Sequence, residues 1–315
     1  MKASNGNHGL EWEENRMMIG FVGTGVMGSR MVKKLLDHGY QVTVYNRTKE
    51  KVKALVEYGA FIAESISSLA YSSDIICTCL SMPEDVVEVY LGTSGLIENA
   101  RSGAIFIDFT TVGSETSKAI FDQAIEKGIA YLDSPVSGGP EGVENGTLTI
   151  MVGGEMQAFE KIQPILNVLG ETIEYLGPSG SGSIAKLLNQ YLVAVHSLAA
   201  SEAMVTGAAF GLDSEQLYKI LKVSYGDSRI LRRHMEQYVF DRHFQPGGAV
   251  KYVHKDVRLA NKLIQEAGMN QFTGQLAEQA FGHAIEEGLQ ELDMSAVIQP
   301  LEEKCGVIVK KTRLL

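Results

Sequence analysis

What most constrains the fold of this chain is a set of three glycines, Gly23, Gly25 and Gly28, standing between two different periodicities. Before them lies the short apolar run Met18-Ile-Gly-Phe-Val22. After them, from Val26 to His38, apolar residues recur at Val26, Met27, Met31, Val32, Leu35 and Leu36, a helical period that Gly39 ends. The β-branched run Gln41-Val-Thr-Val-Tyr45 follows. Strand, glycine turn, helix and second strand make a βαβ unit, and within it each glycine has its own task. Gly23 permits the tight turn, Gly25 lets backbone approach a pyrophosphate, and Gly28 allows helix and strand to touch. The helix amino end beyond offers free N–H groups and the positive end of its dipole to phosphate. Glycine is 33 of the 315 residues, so the spacing alone is weak, and its context is what marks a dinucleotide site. Gly23, Thr24, Gly25, Val26, Met27 and Gly28 are therefore the expected cofactor contacts.

The alternation continues to about Gly177. Lys49 to Tyr58 is helical, and Ile75 to Leu80 and Ala104 to Phe109 are strands, each followed by a helical stretch. This pace predicts a parallel sheet with helices on both faces. The pattern changes at Gly177-Pro-Ser-Gly-Ser-Gly182. Beyond it no convincing strand occurs, and helical periods run over Ile184–Phe210, Ser214–Val223, Val250–Ala267 and Thr273–Glu287. The expected fold is an α/β Rossmann N-terminal domain over 17–178, then an all-α C-terminal domain for substrate and oligomerisation over 179–315. Residues 1–16 read as a loose extension. No internal repeat or low-complexity tract is present.

Length suits two domains, and 45% apolar with 21% charged residues is a globular composition. The net charge of −10, without a Lys/Arg block, gives no nucleic-acid footprint. Residues 1–16 are polar and acidic, which argues against a secretory signal or transit peptide. The apolar stretch Leu187–Phe210 is broken by Asn189, Gln190, His196 and Glu202, so a buried helix is expected rather than a membrane span. Cytoplasmic residence is the default expectation. Cys77 and Cys79 would share a strand face and read as packing thiols, and no Cys/His pair has zinc spacing, so no metal is expected.

The end of the second strand bears on cofactor choice. An acid there bonds the ribose 2′-OH of NAD, but here it reads Tyr45-Asn46-Arg47-Thr48. A guanidinium fork beside two small polar side chains suits a 2′-phosphate, so NADP is expected ahead of NAD. Thr48 is also placed to cap the next helix.

Two further segments concentrate chemistry. Asp133-Ser-Pro-Val-Ser-Gly-Gly139 offers the Ser137 hydroxyl and the unobstructed backbone of Gly138 and Gly139, which suit a carboxylate; the alternative is a long turn using glycine for its freedom. In Gly180-Ser-Gly-Ser-Ile-Ala-Lys186-Leu-Leu-Asn189-Gln190, the lysine and both amides share one helix face. Burial of Lys186 among apolar neighbours would suit it for acid–base work.

With these runs assembled, the chain resembles the β-hydroxyacid dehydrogenases, the family of 3-hydroxyisobutyrate dehydrogenase, tartronate semialdehyde reductase and the glyoxylate/succinic semialdehyde reductases. The matching runs are Gly20-Phe-Val-Gly-Thr-Gly-Val-Met-Gly28, Asp133-Ser-Pro-Val-Ser-Gly-Gly139, Gly146-Thr-Leu-Thr-Ile-Met-Val-Gly-Gly154, Gly180-x-Gly182 with Lys186, and Lys255-Asp256. They occur in family order. The resemblance implies hydride transfer between NADP(H) and a small β-hydroxy acid, semialdehyde or 2-keto acid, with Lys186 as general acid/base. It implies that Ser137, Gly138 and Gly139 anchor the substrate carboxylate and that Asn189 or Gln190 positions the substrate. Leu80, Ser81, Met82, Thr111 and Lys255 are implied cofactor contacts. Asp256 either orients Lys186 or only stabilises the helical domain. Partners implied are a small carboxylate-bearing substrate and a second copy through the helical domain, as homodimer or homotetramer, with no nucleic acid or membrane. Relatives carry Phe where Gly248 stands in Pro246-Gly247-Gly248, which leaves a larger pocket or a wall supplied by Tyr252, Phe244 or Tyr225. The alternatives are an imine reductase of the same architecture and a non-catalytic NADP-binding scaffold; retention of Lys186 argues against both.

Overall fold

A computed structural model describes residues 17–245 and 247–311; the expected extension over 1–16 lies outside the described residues. The chain divides into two compact units after Lys186. The first is a doubly wound α/β unit. Its strands are β1 (Met18–Val22), β2 (Gln41–Tyr45), β3 (Phe61–Ile62), β4 (Ile75–Thr78), β5 (Ile105–Asp108), β6 (Ala130–Asp133), β7 (Val136–Ser137), β8 (Leu148–Gly153) and β9 (Gly170–Gly177). Its helices are α1 (Val26–Asp37), α2 (Glu50–Glu57), α3 (Ile66–Ser72), α4 (Pro83–Leu91), α5 (Leu96–Asn99), α6 (Ser114–Glu126), α7 (Gly139–Asn145) and α8 (Met156–Leu169). The sheet runs β3-β2-β1-β4-β5-β6-β8-β7, with β9 on β8. This is the Rossmann order, reversing direction of growth between β1 and β4.

Alternation along the central strands explains the two layers of helices. Ile75 and Cys77 point to the layer containing α1, α2 and α8, while Ile76 points to the layer containing α3, α4 and α6. Cys77 is fully buried and Cys79 packs against the same cluster, as the packing reading expects. The expectation of a parallel sheet needs one correction: β8 is antiparallel to both β6 and β7. Gly138 and Gly139 follow β7 with φ of 136° and 66° and open α7, and only residues 138–147 separate β7 from β8. That is short for the crossover a parallel strand requires.

The second unit is helical. The helix α9 (Ser181–Ala209) runs into it from the first unit and is followed by α10 (Ser214–Leu221), α11 (Arg229–His234), α12 (Val250–Glu266), α13 (Gly274–Glu286) and α14 (Ile298–Cys305). Among the described residues of this unit no named strand occurs. Ala194 and Leu198 of α9 pack with Val250, Val253 and Val257 of α12 and Ala277 and Phe281 of α13. A buried Asp293 accepts two bonds from Arg233 and the N–H groups of Gly247 and Gly248, tying α11 to the segment before α12. The long helix is only half-buried: Leu188 and Leu192 are 47% and 50% exposed, so the expected buried helix keeps an open apolar side. By length and composition alone it is also long and apolar enough to cross a membrane.

Candidate active site

Strand register gathers the expected site residues of the first unit. Tyr45, Val22, Thr78, Asp108 and Asp133 form one row across β2, β1, β4, β5 and β6. Each stands at the carboxyl end of its strand. The segments that follow them are Asn46–Thr48, Gly23–Gly28, Leu80–Met82, Thr110–Thr111 and Ser137–Gly139. The carboxyl edge at a switch point is where open α/β sheets bind ligands.

The glycine turn has the geometry its spacing predicts. Gly23 has φ of 94°, and a Cβ on it would stand 2.4 Å from the Cys79 carbonyl oxygen. A Cβ on Gly28 would lie 2.0 Å from the Gly23 carbonyl oxygen, so only glycine lets α1 start this close to β1. Around the Cβ position of Gly25 there is open space. Beside it the Thr24 hydroxyl oxygen is buried without a hydrogen-bond partner. An open cradle, an unpaired hydroxyl and a helix amino end fit a dinucleotide pyrophosphate. Val26 is exposed and Met27 half-buried beside this opening.

The tip of β2 differs in detail from the sequence reading. Asn46 braces the turn: its carbonyl oxygen accepts the Thr24 N–H at 3.1 Å, and its amide donates to the Thr48 carbonyl at 3.0 Å. Thr48 does not cap α2, whose N-cap is Lys49 without a side-chain bond. A cap requires the side chain at the N-cap itself, and the helix starts one residue later than Thr48 needs. Arg47 is 82% exposed, with its guanidinium 3.5 Å from Asp85.

Two buried carboxylates organise the loops, and neither was given a role from sequence. Asp108 Oδ1 accepts the Thr78 hydroxyl at 2.7 Å and the Thr110 N–H at 3.0 Å, and Oδ2 accepts the Tyr131 hydroxyl. Thr110 in turn accepts the Leu80 N–H at 2.9 Å. One carboxylate thus ties together the loops holding Leu80-Ser81-Met82 and Thr111. Burial pushes the Asp108 carboxyl up, and these bonds oppose the shift. Asp133 accepts the Gly180 and Ser183 N–H groups at 2.7 and 2.8 Å. Burial pushes it up to about 6 against those bonds. The available signal was a carboxylate as the last residue of an apolar strand, where an unpaired charge would be costly.

Ser137 lies half-buried at the end of β7, and Gly138 and Gly139 open α7. That helix is bolted to the glycine-turn helix: Arg30 pairs with Glu144 at 2.6 Å and Lys34 donates to the Glu144 carbonyl at 2.9 Å. Lys186 is 7% exposed, on the face of α9 that continues one turn on through Asn189 and Gln190.

In the helical unit, Asn189 donates to the Gln190 carbonyl oxygen at 3.0 Å, and Gln190 donates to Asp256 Oδ2 at 2.6 Å. Lys255 Nζ stands 3.0 Å from Asp256 Oδ1. Asp256 therefore anchors the Gln190 amide and pairs with its neighbouring lysine. At Gly248, Met294 takes the space a side chain would use, its Cε 2.7 Å from a Cβ there. Phe244 packs into the helical core and Tyr225 is fully exposed. Among the described residues no group of three His, Cys, Asp or Glu side chains could hold a metal.

Comparison with known proteins agrees with this arrangement. Residues 18–177 match the family model for the NAD binding domain of 6-phosphogluconate dehydrogenase, and 180–301 that for the NAD-binding of NADP-dependent 3-hydroxyisobutyrate dehydrogenase. The chain is 36% identical to 2-(hydroxymethyl)glutarate dehydrogenase of Eubacterium barkeri, over 94% of this chain and 98% of that one. It is 33% identical to the NAD-dependent L-serine dehydrogenase of Pseudomonas aeruginosa, over 89% and 96%. Among solved structures, 3-hydroxyisobutyrate dehydrogenase of Mycobacterium tuberculosis with L-serine superposes with a TM-score of 0.83 at 26% identity, covering 90% of this chain and 99% of that one. A Rossmann edge built for a dinucleotide, a helical second unit and matches along nearly the whole chain lead to one conclusion: this is a nicotinamide-dependent oxidoreductase acting on CH–OH groups, and it belongs to the β-hydroxyacid dehydrogenase family.

Proposed function

We propose that this chain interconverts a small carboxylate-bearing β-hydroxy acid and its semialdehyde or keto acid using NADP(H), with Lys186 as the general acid/base. The observation that carries the reading is Lys186 itself: a lysine 7% exposed, on the helix whose amino end sits against the carboxyl edge of the sheet. Buried lysines are rare without a task. A nicotinamide cofactor held at this edge would supply hydride exchange with the alcohol or carbonyl carbon. Everything else falls to the protein. In oxidation the neutral Lys186 amine takes the hydroxyl proton; in reduction the ammonium gives it back as negative charge grows on oxygen. Ser137 and the backbone of Gly138 and Gly139 hold the substrate carboxylate. Asn189, whose amide donates to the Gln190 carbonyl oxygen, orients the substrate together with Gln190, whose own amide donates to Asp256.

NADP preference is supported by the exposed Arg47 guanidinium and the absence of an acid at Tyr45-Asn46-Arg47. Lys255 completes the cofactor contacts in this reading. Substrates of the class are exemplified by 2-(hydroxymethyl)glutarate, L-serine and 3-hydroxyisobutyrate, the compounds in the names of the relatives and matching family. Those three alcohols should be tested with NADP+ and NAD+, following reduced cofactor. Lys186→Ala is expected to abolish turnover while NADPH still binds; unchanged turnover would remove Lys186 from its role. The open apolar side of α9 at Leu188 and Leu192 supports pairing with a second copy, and light scattering at a dimer or tetramer mass is the expected result.

A further inference from the structure

The first turn of α9 has N–H groups that no helical carbonyl can reach. Gly180 is its N-cap: its carbonyl accepts the Ile184 N–H at 2.9 Å, its φ is 93°, and it has no side chain with which to cap. In a capping box, the N-cap side chain takes the N–H of the third helical residue, and that residue's side chain takes the N–H of the N-cap. Here one carboxylate from another element makes both bonds. Asp133, at the end of β6, accepts the Gly180 N–H through Oδ1 and the Ser183 N–H through Oδ2, across 47 and 50 residues of sequence. The surroundings leave no slack. A Cβ on Gly153 would stand 2.7 Å from Asp133 Oδ1, and one on Gly182 would stand 2.2 Å from the Met151 carbonyl and 3.0 Å from Asp133 Oδ2. The Ser183 hydroxyl also bonds Ser117 of α6 at 2.9 Å, with both serines fully buried.

We infer that Asp133 is a positioning residue for proton transfer: by clamping the N-cap and third residue of α9, it sets the height and rotation of the turn that carries Lys186. The inference rests on the assignment of Lys186 above. Lys186 follows Ser183 by three residues, a rise of about 4.5 Å, so little helix intervenes to absorb a displacement. Magnitudes favour placement over bare stability. The loss of one N-cap is small for a helix of 29 residues that packs into two cores. A misplacement of about 1 Å at a reacting group, by contrast, costs roughly a hundredfold in rate. The negative charge also complements the positive end of the helix dipole.

Asp133→Asn tests this in the full chain, using whichever of the three alcohols turns over fastest. The amide keeps one acceptor and sets an NH2 group against the other N–H. Expected are a fall in kcat of about tenfold or more, an NADPH dissociation constant within about twofold of the unmodified protein's, and a larger solvent deuterium isotope effect on kcat. Lys186→Ala is measured in parallel. If that variant keeps turnover, the Lys186 reading fails and takes this inference with it. If it is inactive while Asp133→Asn has native kcat and isotope effect, the inference about Asp133 alone is overturned. A fall in kcat that only tracks the loss of folded protein, with the isotope effect unmoved, overturns it too. Should Asp133→Asn not fold, Ser183→Ala removes the hydroxyl that bonds both Asp133 and Ser117 while keeping the backbone N–H. A kcat loss of about threefold with the same rise in isotope effect is then expected; native values overturn the proposal.

Discussion

Asp108 and Asp133 are register partners at the ends of adjacent strands, and each spends its carboxylate on a different part of the site. Asp108 orders the loops after β4 and β5, while Asp133 holds the start of α9. Two buried acids side by side would repel if both lacked donors. The hydroxyl and N–H groups aimed at each are what make the pair tolerable.

Asp108→Asn should therefore weaken the cofactor site and the fold together. The Thr78 hydroxyl, Thr110 N–H and Tyr131 hydroxyl all donate to Asp108, so an amide NH2 must oppose one of them. A stability loss of about 2 kcal/mol is expected by thermal or urea melts. Fluorescence titration should also show weaker NADPH binding, because the Leu80 N–H hangs on Thr110, which Asp108 holds.

The three-glycine turn predicts a contrast between two alanine substitutions. Gly28→Ala drives a methyl into the Gly23 carbonyl and should prevent folding or lower the melting temperature sharply. Gly25→Ala places its methyl in open space, so the melting temperature should hardly change. NADPH affinity should nonetheless fall about tenfold or more, since that space is where the pyrophosphate belongs.

Cofactor choice can be read at Arg47. Its pairing with Asp85 is long and exposed, hence weak, so the guanidinium is available to a 2′-phosphate. Arg47→Ala should raise the NADPH KM about tenfold and the NADH KM much less, as loss of a charge-assisted bond requires. Asp85→Asn should improve NADPH binding by about twofold and leave NADH unchanged. Equal effects on both cofactors would contradict a 2′-phosphate contact.

Acid sensitivity should arise in the helical unit at His234. The ring is fully buried, bonded through Nε2 to Ser197 at 3.0 Å, with Nδ1 unpartnered. Burial chiefly, with Arg233 beside it, lowers the imidazole from 6.5 to about 3. A base depressed in the folded state leaves the unfolded chain binding more protons between those values, so stability falls as pH drops below about 6.5. From pH 6.5 to 5 this group should remove roughly 2 kcal/mol. Urea melts of the unmodified chain and His234→Asn at both pH values test it: the variant should lose less.

The sequence by itself determined whatever is written in short-range periodicity and spacing. Gly23, Gly25 and Gly28 sit between a strand and a helix because their neighbours repeat with those periods, and the change at Gly177–Gly182 separates α/β alternation from helices for the same reason. Asp133, Gly180 and Lys186 were likewise visible as motif residues. What only tertiary structure decided is how they meet. The reversal of β8, the Asn46 brace between strand tip and turn, and the union of Asp133 with Gly180 and Ser183 all depend on contacts 22 to 50 residues apart or on which strand lies beside which. A local pattern fixes which face a side chain points to, but the partner it finds there is set by the packing of the whole sheet edge.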